Sequence, residues 1–567
     1  MTALSASASP RSFFPFATAL AVVSLGLTTV VRAQCPEAVG ADVIAGDLNN
    51  VANFATRDDI DALSFGAVTC NVGDADVNVS AITNDHDILT QNLYRLKDYG
   101  GWFAIEQVGM SWVKHGFCAL SQSLCCTTCV PTDCTSIGIG CSSPTSAGIA
   151  GSAAQLGPRW EIDAFTSQFP FPASNPPIET STARRLQVAV ADIEPTASST
   201  TRYFAELHVL APADAQAANG ENNASYRELD VTGSGGNFAF SFQGTTQRKR
   251  PGILAWKDVD PGVDVHEIRV PGEGQLMLAS RAVPCGGGTW HYEYALYNMN
   301  SHDSVRSFSV PVAAGGLVTD VGFHDVVYRD GDGDDDVSVD GTDWPSGLSG
   351  GALSWEVVGN YTPPNDVNHN ALRWGTTYNF RFKADRGPAL GTLTLETYRT
   401  ETSFSVGDVV VPLGAPLGVA FCDVSDGALA SCPCANPGDP DTGCDLAQAT
   451  GGVQLAASGF EPDGSGGGQA TFAGTGFPAG SSPAAVLIRS LAREEPPAVF
   501  GDGLRCVGLP VVRIRSGFAA GGTVQLNVTH GAGAGTFAYQ AWFRNTPAMF
   551  CDPSAAFNLS NGFELVW

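Results

Sequence analysis

Lysine is nearly missing from this chain: there are five in 567 residues. Charged residues of all kinds make up 15 %, against roughly 25 % in an average protein. The few charges are lopsided, with 57 acids against 30 Lys and Arg and a formal charge of −27. A chain this acidic does not hold nucleic acid through its phosphates, and charge does not draw it to anionic lipid. Convincing amphipathic helices are almost absent. There is no HExxH zinc motif and no GxxxxGK[ST] phosphate loop. After the N-terminus no second stretch of 18 apolar residues occurs, so no spanning helix of ~20 residues is expected.

What is present begins with an address. Arg11 supplies a positive start, and Phe13 to Val31 is apolar, broken by Pro15, Ser24 and Gly26. Val31-Arg32-Ala33 then offers a small residue at a cleavage position before Gln34. Residues 1–33 read as a secretory signal peptide. Gln34 stands where a lipoprotein signal needs a small residue, so no lipid is expected on Cys35. Losing Arg11 and Arg32, with no acid, takes the charge from −27 to −29.

Export places the 15 cysteines in an oxidising compartment. Eight fall in an N-terminal group: Cys35, Cys70, Cys118, Cys125, Cys126, Cys129, Cys134 and Cys141. Six fall near the end: Cys422, Cys432, Cys434, Cys444, Cys506 and Cys551. Even counts read as four bridges and three, with connectivity open. Cys126-x-x-Cys129 resembles half a zinc site, but no second half is present. Cys285 stands alone, and as a spare thiol it can link two chains into a disulfide-bonded dimer.

Period-2 apolar runs bounded by Gly, Pro, Asn and Asp recur along the chain, which is the strand signature. The 65 Gly and 34 Pro fit a fold made of many turns. The fold class is all-β, as tandem β-sandwich domains, immunoglobulin-like or jelly-roll-like, braced by disulfides. Residues 34–272 form a Cys-rich N-terminal β region of one or two domains. Residues 273–412 hold seven or eight short strands and read as an immunoglobulin-like sandwich. Residues 413–445 are a Cys-, Pro- and Gly-rich connector, and 446–567 a second sandwich.

Several runs carry a resemblance. Asn92-Leu-Tyr-Arg-Leu-Lys, Gln107-Val-Gly-Met-Ser-Trp-Val-Lys-His-Gly-Phe and Thr289-Trp-His-Tyr-Glu-Tyr-Ala-Leu-Tyr-Asn resemble stretches of large secreted proteins from planctomycete-type bacteria. So does Asn370-Ala-Leu-Arg-Trp-Gly-Thr-Thr-Tyr-Asn-Phe-Arg-Phe. Phe500-Gly-Asp-Gly-Leu-Arg-Cys-Val-Gly, Ala541-Trp-Phe-Arg-Asn and Phe557-Asn-Leu-Ser-Asn-Gly are similar to a domain that closes many such exported proteins. The resemblance implies export and modular β domains, and it transfers no catalytic residue.

The densest charge feature is Asp330-Gly-Asp-Gly-Asp-Asp-Asp, followed by Asp340 and Asp343. Asp330, Asp332, Asp334, Asp336 and Asp340 on a Gly-bent loop can converge on Ca²⁺, which takes 6–8 oxygens. The spacing departs from an EF-hand, and the plainer reading is a solvated acidic turn between two strands. Lys114-His115 puts a rare Lys beside a His, a pairing suited to acid–base work if a partner lies within reach; a polar corner of a β domain is the plainer reading. His291 and Glu293 share a strand face at spacing two, as metal ligands can, or as two residues on a solvent face. Gly347-Leu-Ser349-Gly-Gly351 spells GxSxG, but a Pro- and Gly-rich loop precedes Ser349 and a strand follows, the reverse of a nucleophile elbow. The ten Trp are assigned to core packing before any sugar platform.

The function expected is that of an exported, non-enzymatic protein of the cell envelope or extracellular matrix. Its partners would be cell-surface glycan or another envelope protein. The alternative is a secreted hydrolase of polysaccharide or peptide, which needs two carboxylates facing across a pocket, ~5–10 Å apart in a glycosidase.

Overall fold

A computed structural model describes residues 35–567 except 81, 100–101, 117, 176, 179, 196–199, 271, 287–288, 330–338, 362–368, 415–417, 426–429, 463–467, 532–534 and 546–555. Within strands, the side chains of 285–286 and 458–462 also lie outside the description. Among the described residues the regular structure is almost all antiparallel strand, with a few α-helices of four to six residues.

The N-terminal sheet has the order Val43–Arg57, Ile60–Asn71, Leu186–Ala189, Phe103–Met110, Ile88–Asp98, Arg202–Leu210, Ala224–Ser234, Asn237–Phe242. Ile60–Asn71 and Ile88–Asp98 are buried along nearly their whole length, so both faces of the sheet are covered. The inner face carries Leu63, Phe65, Leu93, Val108, Ala205 and Leu207. The sheet rolls until its first and last strands meet. Side chains close that seam: Arg227 donates to the Leu48 carbonyl (2.6 Å), Ser225 to that of Ala45 (2.5 Å) and Asn53 to that of Phe238 (3.2 Å).

The middle part is a sandwich of two five-stranded sheets. One contains Asp264–Arg269, Gln275–Gly286, Thr289–Asn298, Thr376–Ala384 and Val318–His324; the other Ser346–Ser349, Ala352–Glu356, Val305–Pro311, Ala389–Thr397 and Ser403–Val411. Aromatic residues dominate its core, with Phe308 and Phe380 stacked at 4.2 Å beside Tyr294, Trp355 and Phe382. Asp264–Arg269 pairs with Gln275–Ser280, so this sheet begins before residue 273.

The outer faces of these two parts meet. Tyr94, Leu96, Ile105 and Phe204 from the N-terminal sheet share one cluster with Met277, Ala279, Ala295 and Tyr297 from the middle sheet. Trp256, on the short helix Leu254–Val259, is fully buried in that cluster. Hiding a side chain of that size stabilises by roughly 3 kcal/mol.

The C-terminal part packs a sheet of Gly418–Phe421, Phe557–Val566, Thr536–Arg544, Ala484–Ser490 and Val512–Phe518 on a sheet of Gln454–Pro462, Gly468–Thr475 and Thr523–His530. Phe472, Leu487, Leu526, Tyr539 and Trp567 fill the core between them. The edge strand Gly418–Phe421 lies in the stretch read as a connector, and it pairs with residues 562–565.

Disulfides follow the two cysteine groups. Cys35–Cys126, Cys70–Cys125 and Cys129–Cys141 brace the N-terminal part; Cys422–Cys506 and Cys432–Cys444 brace the C-terminal one. Cys434 is disulfide-bonded as well, and Cys551 lies outside the described residues. Cys126 and Cys129 sit in separate bridges, which uses up both sulfurs of the zinc-like CxxC. The N-terminal eight close three bridges rather than four. Cys118 and Cys134 remain exposed thiols, sharing a hydrogen bond that holds the Cys118 proton on.

Candidate functional site

The rare pair Lys114-His115 lines a cavity of about 330 Å³. The short strand Val113–His115 lies between two partners, with His115 opposite Ile88, Lys114 opposite Leu89 and Leu156, and Val113 opposite Gly157. Lys114 is 4 % exposed, and its ammonium donates to Gln155 Oε1 on the turn Ala153–Gln155. Leu156, Phe169, Phe171 and Ala173 give the cavity apolar walls. Fully buried Arg184 braces one side, donating to Asn175 Oδ1 (2.7 Å) and to the Leu156 carbonyl (3.1 Å).

Burial shifts the groups here. It lowers Lys114 to about 8. It lowers His115 to about 4, helped by His86 and Lys114, and lowers His86 too. Both imidazoles are therefore neutral near pH 7, and their bonds fix the tautomers. A carbonyl only accepts, so His86 Nδ1 carries the proton given to Thr83 O at 2.8 Å. His86 Nε2 then accepts, and His115 Nδ1 donates to it at 3.0 Å. The relay leaves a bare lone pair on His115 Nε2, a buried atom with no hydrogen-bond partner. The sequence singled out Lys114 and His115; His86, Gln155 and Asn175 arrive from distant segments with no local signal.

A second, larger cleft of about 550 Å³ lies on the N-terminal sheet beside the helix Leu254–Val259. Arg202 grips both oxygens of Glu228 at 2.7 and 2.8 Å. Arg250 grips both oxygens of Asp258 at 2.6 and 2.8 Å, and Tyr226 donates its hydroxyl to the same carboxylate. Phe204 and Tyr226 form an apolar floor, and Gln243 and Gln247 offer exposed amides at the rim. Two carboxylates thus line one cleft, but each is held by a guanidinium. A glycosidase's two carboxyls must be open to the sugar and to water, and here both oxygens of each are taken up by a guanidinium.

The other candidates fall as follows. Asp330, Asp332, Asp334 and Asp336 lie outside the described residues. Asp340 is exposed, and its carboxylate accepts from the Thr342 amide (2.9 Å) and hydroxyl (2.6 Å). Among the described residues no group of three or more His, Cys, Asp or Glu is placed to hold a metal. Cys285 lies on the strand Gln275–Gly286, its side chain outside the description.

His291 and Glu293 do share a strand face, but it is not a solvent face, because the N-terminal sheet covers it. Glu293 is 1 % exposed and binds His291 Nε2 (3.1 Å) and Arg381 (3.3 Å). Arg381 also reaches Glu106 (2.8 Å), which bonds Arg95 (2.8 Å). This chain of charges clamps two domains. Burial would raise the Glu106 carboxyl, but His324, Arg381 and Arg95 outweigh it and hold it at about 2. Ser349 ends the exposed strand Ser346–Ser349 at a hairpin through Gly350 and Gly351, both at positive φ, with no helix after it. Trp112, Trp256, Trp344, Trp355, Trp374 and Trp567 are buried, as core packing requires.

The sequence matches no family model and no curated protein.

Proposed function

We propose that the chain is an exported, non-catalytic protein of the cell envelope or extracellular matrix that binds glycan through the cleft beside Tyr226. The pre-formed Arg202–Glu228 and Arg250–Asp258 pairs carry this reading. Fixed donors and acceptors around an apolar floor suit the hydroxyls and C–H faces of sugars. Disulfides support an oxidising compartment, and no helix of the described residues is long and apolar enough to cross a membrane. The hydrolase alternative draws on Glu228 and Asp258 lining one cleft, and the arginines weigh against it.

The test is binding of the purified protein to immobilised oligosaccharides, with Arg250→Ala and Glu228→Ala beside it. At least tenfold weaker capture by both variants, with no new reducing ends formed, is the expected result. Capture unchanged in both would remove the cleft from the function. Release of reducing sugar that Glu228→Ala abolishes would make the protein a hydrolase.

A further inference from the structure

The cleft beside Tyr226 cancels its own charge. The described residues that line it include two cations, Arg202 and Arg250, and two anions, Glu228 and Asp258, and the rest of that lining is uncharged. Each cation is matched to one anion. Arg202 places Nε and Nη2 on the two oxygens of Glu228, and Arg250 Nη2 spans both oxygens of Asp258. Two-pronged contacts between guanidinium and carboxylate are among the strong ones, and they fix geometry as well as charge. The four side chains are between 32 and 40 % exposed, so a ligand reaches the pairs without opening the fold.

This pairing selects by charge. An entering carboxylate or sulfate would lie beside Glu228 or Asp258, and to face a guanidinium squarely it would have to displace one of them. Like charges forced together, and a pair left broken, both count against such a ligand. A hydroxyl meets neither obstacle, because it donates and accepts without charge. The cleft offers it both roles. Gln247 gives its amide N–H to the Thr245 carbonyl (3.2 Å), which leaves its Oε1 as an acceptor. Arg202 Nη1 is a donor with no hydrogen-bond partner among the described residues, and Gln243 adds an exposed amide. The volume of about 550 Å³ lies within the roughly 300–1,000 Å³ of ligand sites. We propose, resting on the reading of this cleft as a glycan site, that it takes uncharged glycan and rejects uronate and sulfated chains. The ion pairs are then its specificity device and not an anion trap.

The experiment is calorimetric titration of the purified protein with short neutral chains of the glucan, mannan, xylan and N-acetylglucosamine series, and with oligogalacturonate as the acidic probe. Runs are made in about 0.05 and about 0.5 M NaCl, because the second confines the field of the −27 chain to a few ångströms. Expected is saturable binding of at least one neutral chain, at least tenfold tighter than oligogalacturonate at either salt and changed less than twofold between them. Glu228→Gln leaves Arg202 without its anion, so this variant should bind oligogalacturonate at least tenfold tighter than the parent does. Melting curves check its fold, and the salt comparison on the parent needs no variant. Oligogalacturonate bound by the parent as tightly as the neutral chains, and lost in Arg250→Ala, would keep the cleft as a glycan site and overturn its neutrality. So would a folded Glu228→Gln that gains nothing for the acidic chain. No binding of any chain, or neutral binding that Arg250→Ala leaves intact, would remove the glycan reading and the proposal with it.

Discussion

At the scale of single residues, burial raises the carboxyls of Asp42, Asp61 and Asp214. Asp214 is the clearest structural case. It is 1 % exposed, and its two oxygens accept from the Val43 amide and from Asn223 Nδ2, both at 2.8 Å. Burial pushes its carboxyl up to about 7. Between pH 4 and 7 the unfolded chain has ionised while the folded one keeps its proton, so stability falls as pH rises. The shift corresponds to a loss on the order of 4 kcal/mol. Asp214→Asn removes the charge. Asn223 Oδ1 has no partner, so that amide can turn over and accept from the new one. The variant should melt higher than the parent at pH 8, and the gap should close towards pH 4. No gap at pH 8 would mean that Asp214 is not desolvated. None of this was legible in the sequence, where Asp214 is one acid among 57. Lys114 and His115 were legible because lysine is rare here. Their surroundings were not, because His86, which fixes the His115 tautomer, comes from a distant segment.

At the scale of elements, strands with alternating or continuously apolar runs were readable, Tyr203–Leu210 among them, and irregular ones were not. Asn237–Phe242 and Thr289–Asn298 alternate along the sequence, and both are strands. Val43–Arg57 and Ile60–Asn71 carry no such clear signature, because the first is bulged and the second is covered on both faces. The cysteine arithmetic gives a similar lesson. Even counts identified the groups, but they did not show that Cys118 and Cys134 would face each other as thiols. The Ala119 amide donates to the Cys134 carbonyl at 2.9 Å, so the two backbones already run side by side. Treatment with a mild disulfide oxidant, such as oxidised glutathione, should close this bridge, the two thiols giving up two protons and two electrons. Alkylation followed by mass spectrometry should then find both cysteines blocked before oxidation and protected after it. Labelling of both after oxidation would show that the loop keeps them apart.

At the scale of the whole molecule, the picture of beads on a string needs changing in one place. The N-terminal sheet and the middle sandwich share the cluster around Trp256 and the charge chain Arg95–Glu106–Arg381–Glu293. The C-terminal sandwich has its own core around Tyr539 and its own bridges. Two cooperative units are therefore expected, not three, and the sequence could not show it, since the paired faces lie hundreds of residues apart. Glu106 is the handle that tests this. Removing it leaves Arg95 with Asp192 alone and Arg381 with Glu293 alone, a loss of about 2–3 kcal/mol, below that of a buried pair broken outright. Its carboxyl is held low, so its contribution is present above about pH 4.5 and is lost as pH falls towards 2. In scanning calorimetry at pH 7, Glu106→Ala should lower one transition, the larger, and leave the second in place. Reducing agent should lower both, because bridges brace both units. A single transition shifted whole by Glu106→Ala would mean that the contact between strands Gln275–Gly286 and Gln454–Pro462 couples all three parts. Three transitions, with only the N-terminal one displaced, would mean that the shared cluster does not hold the first two together.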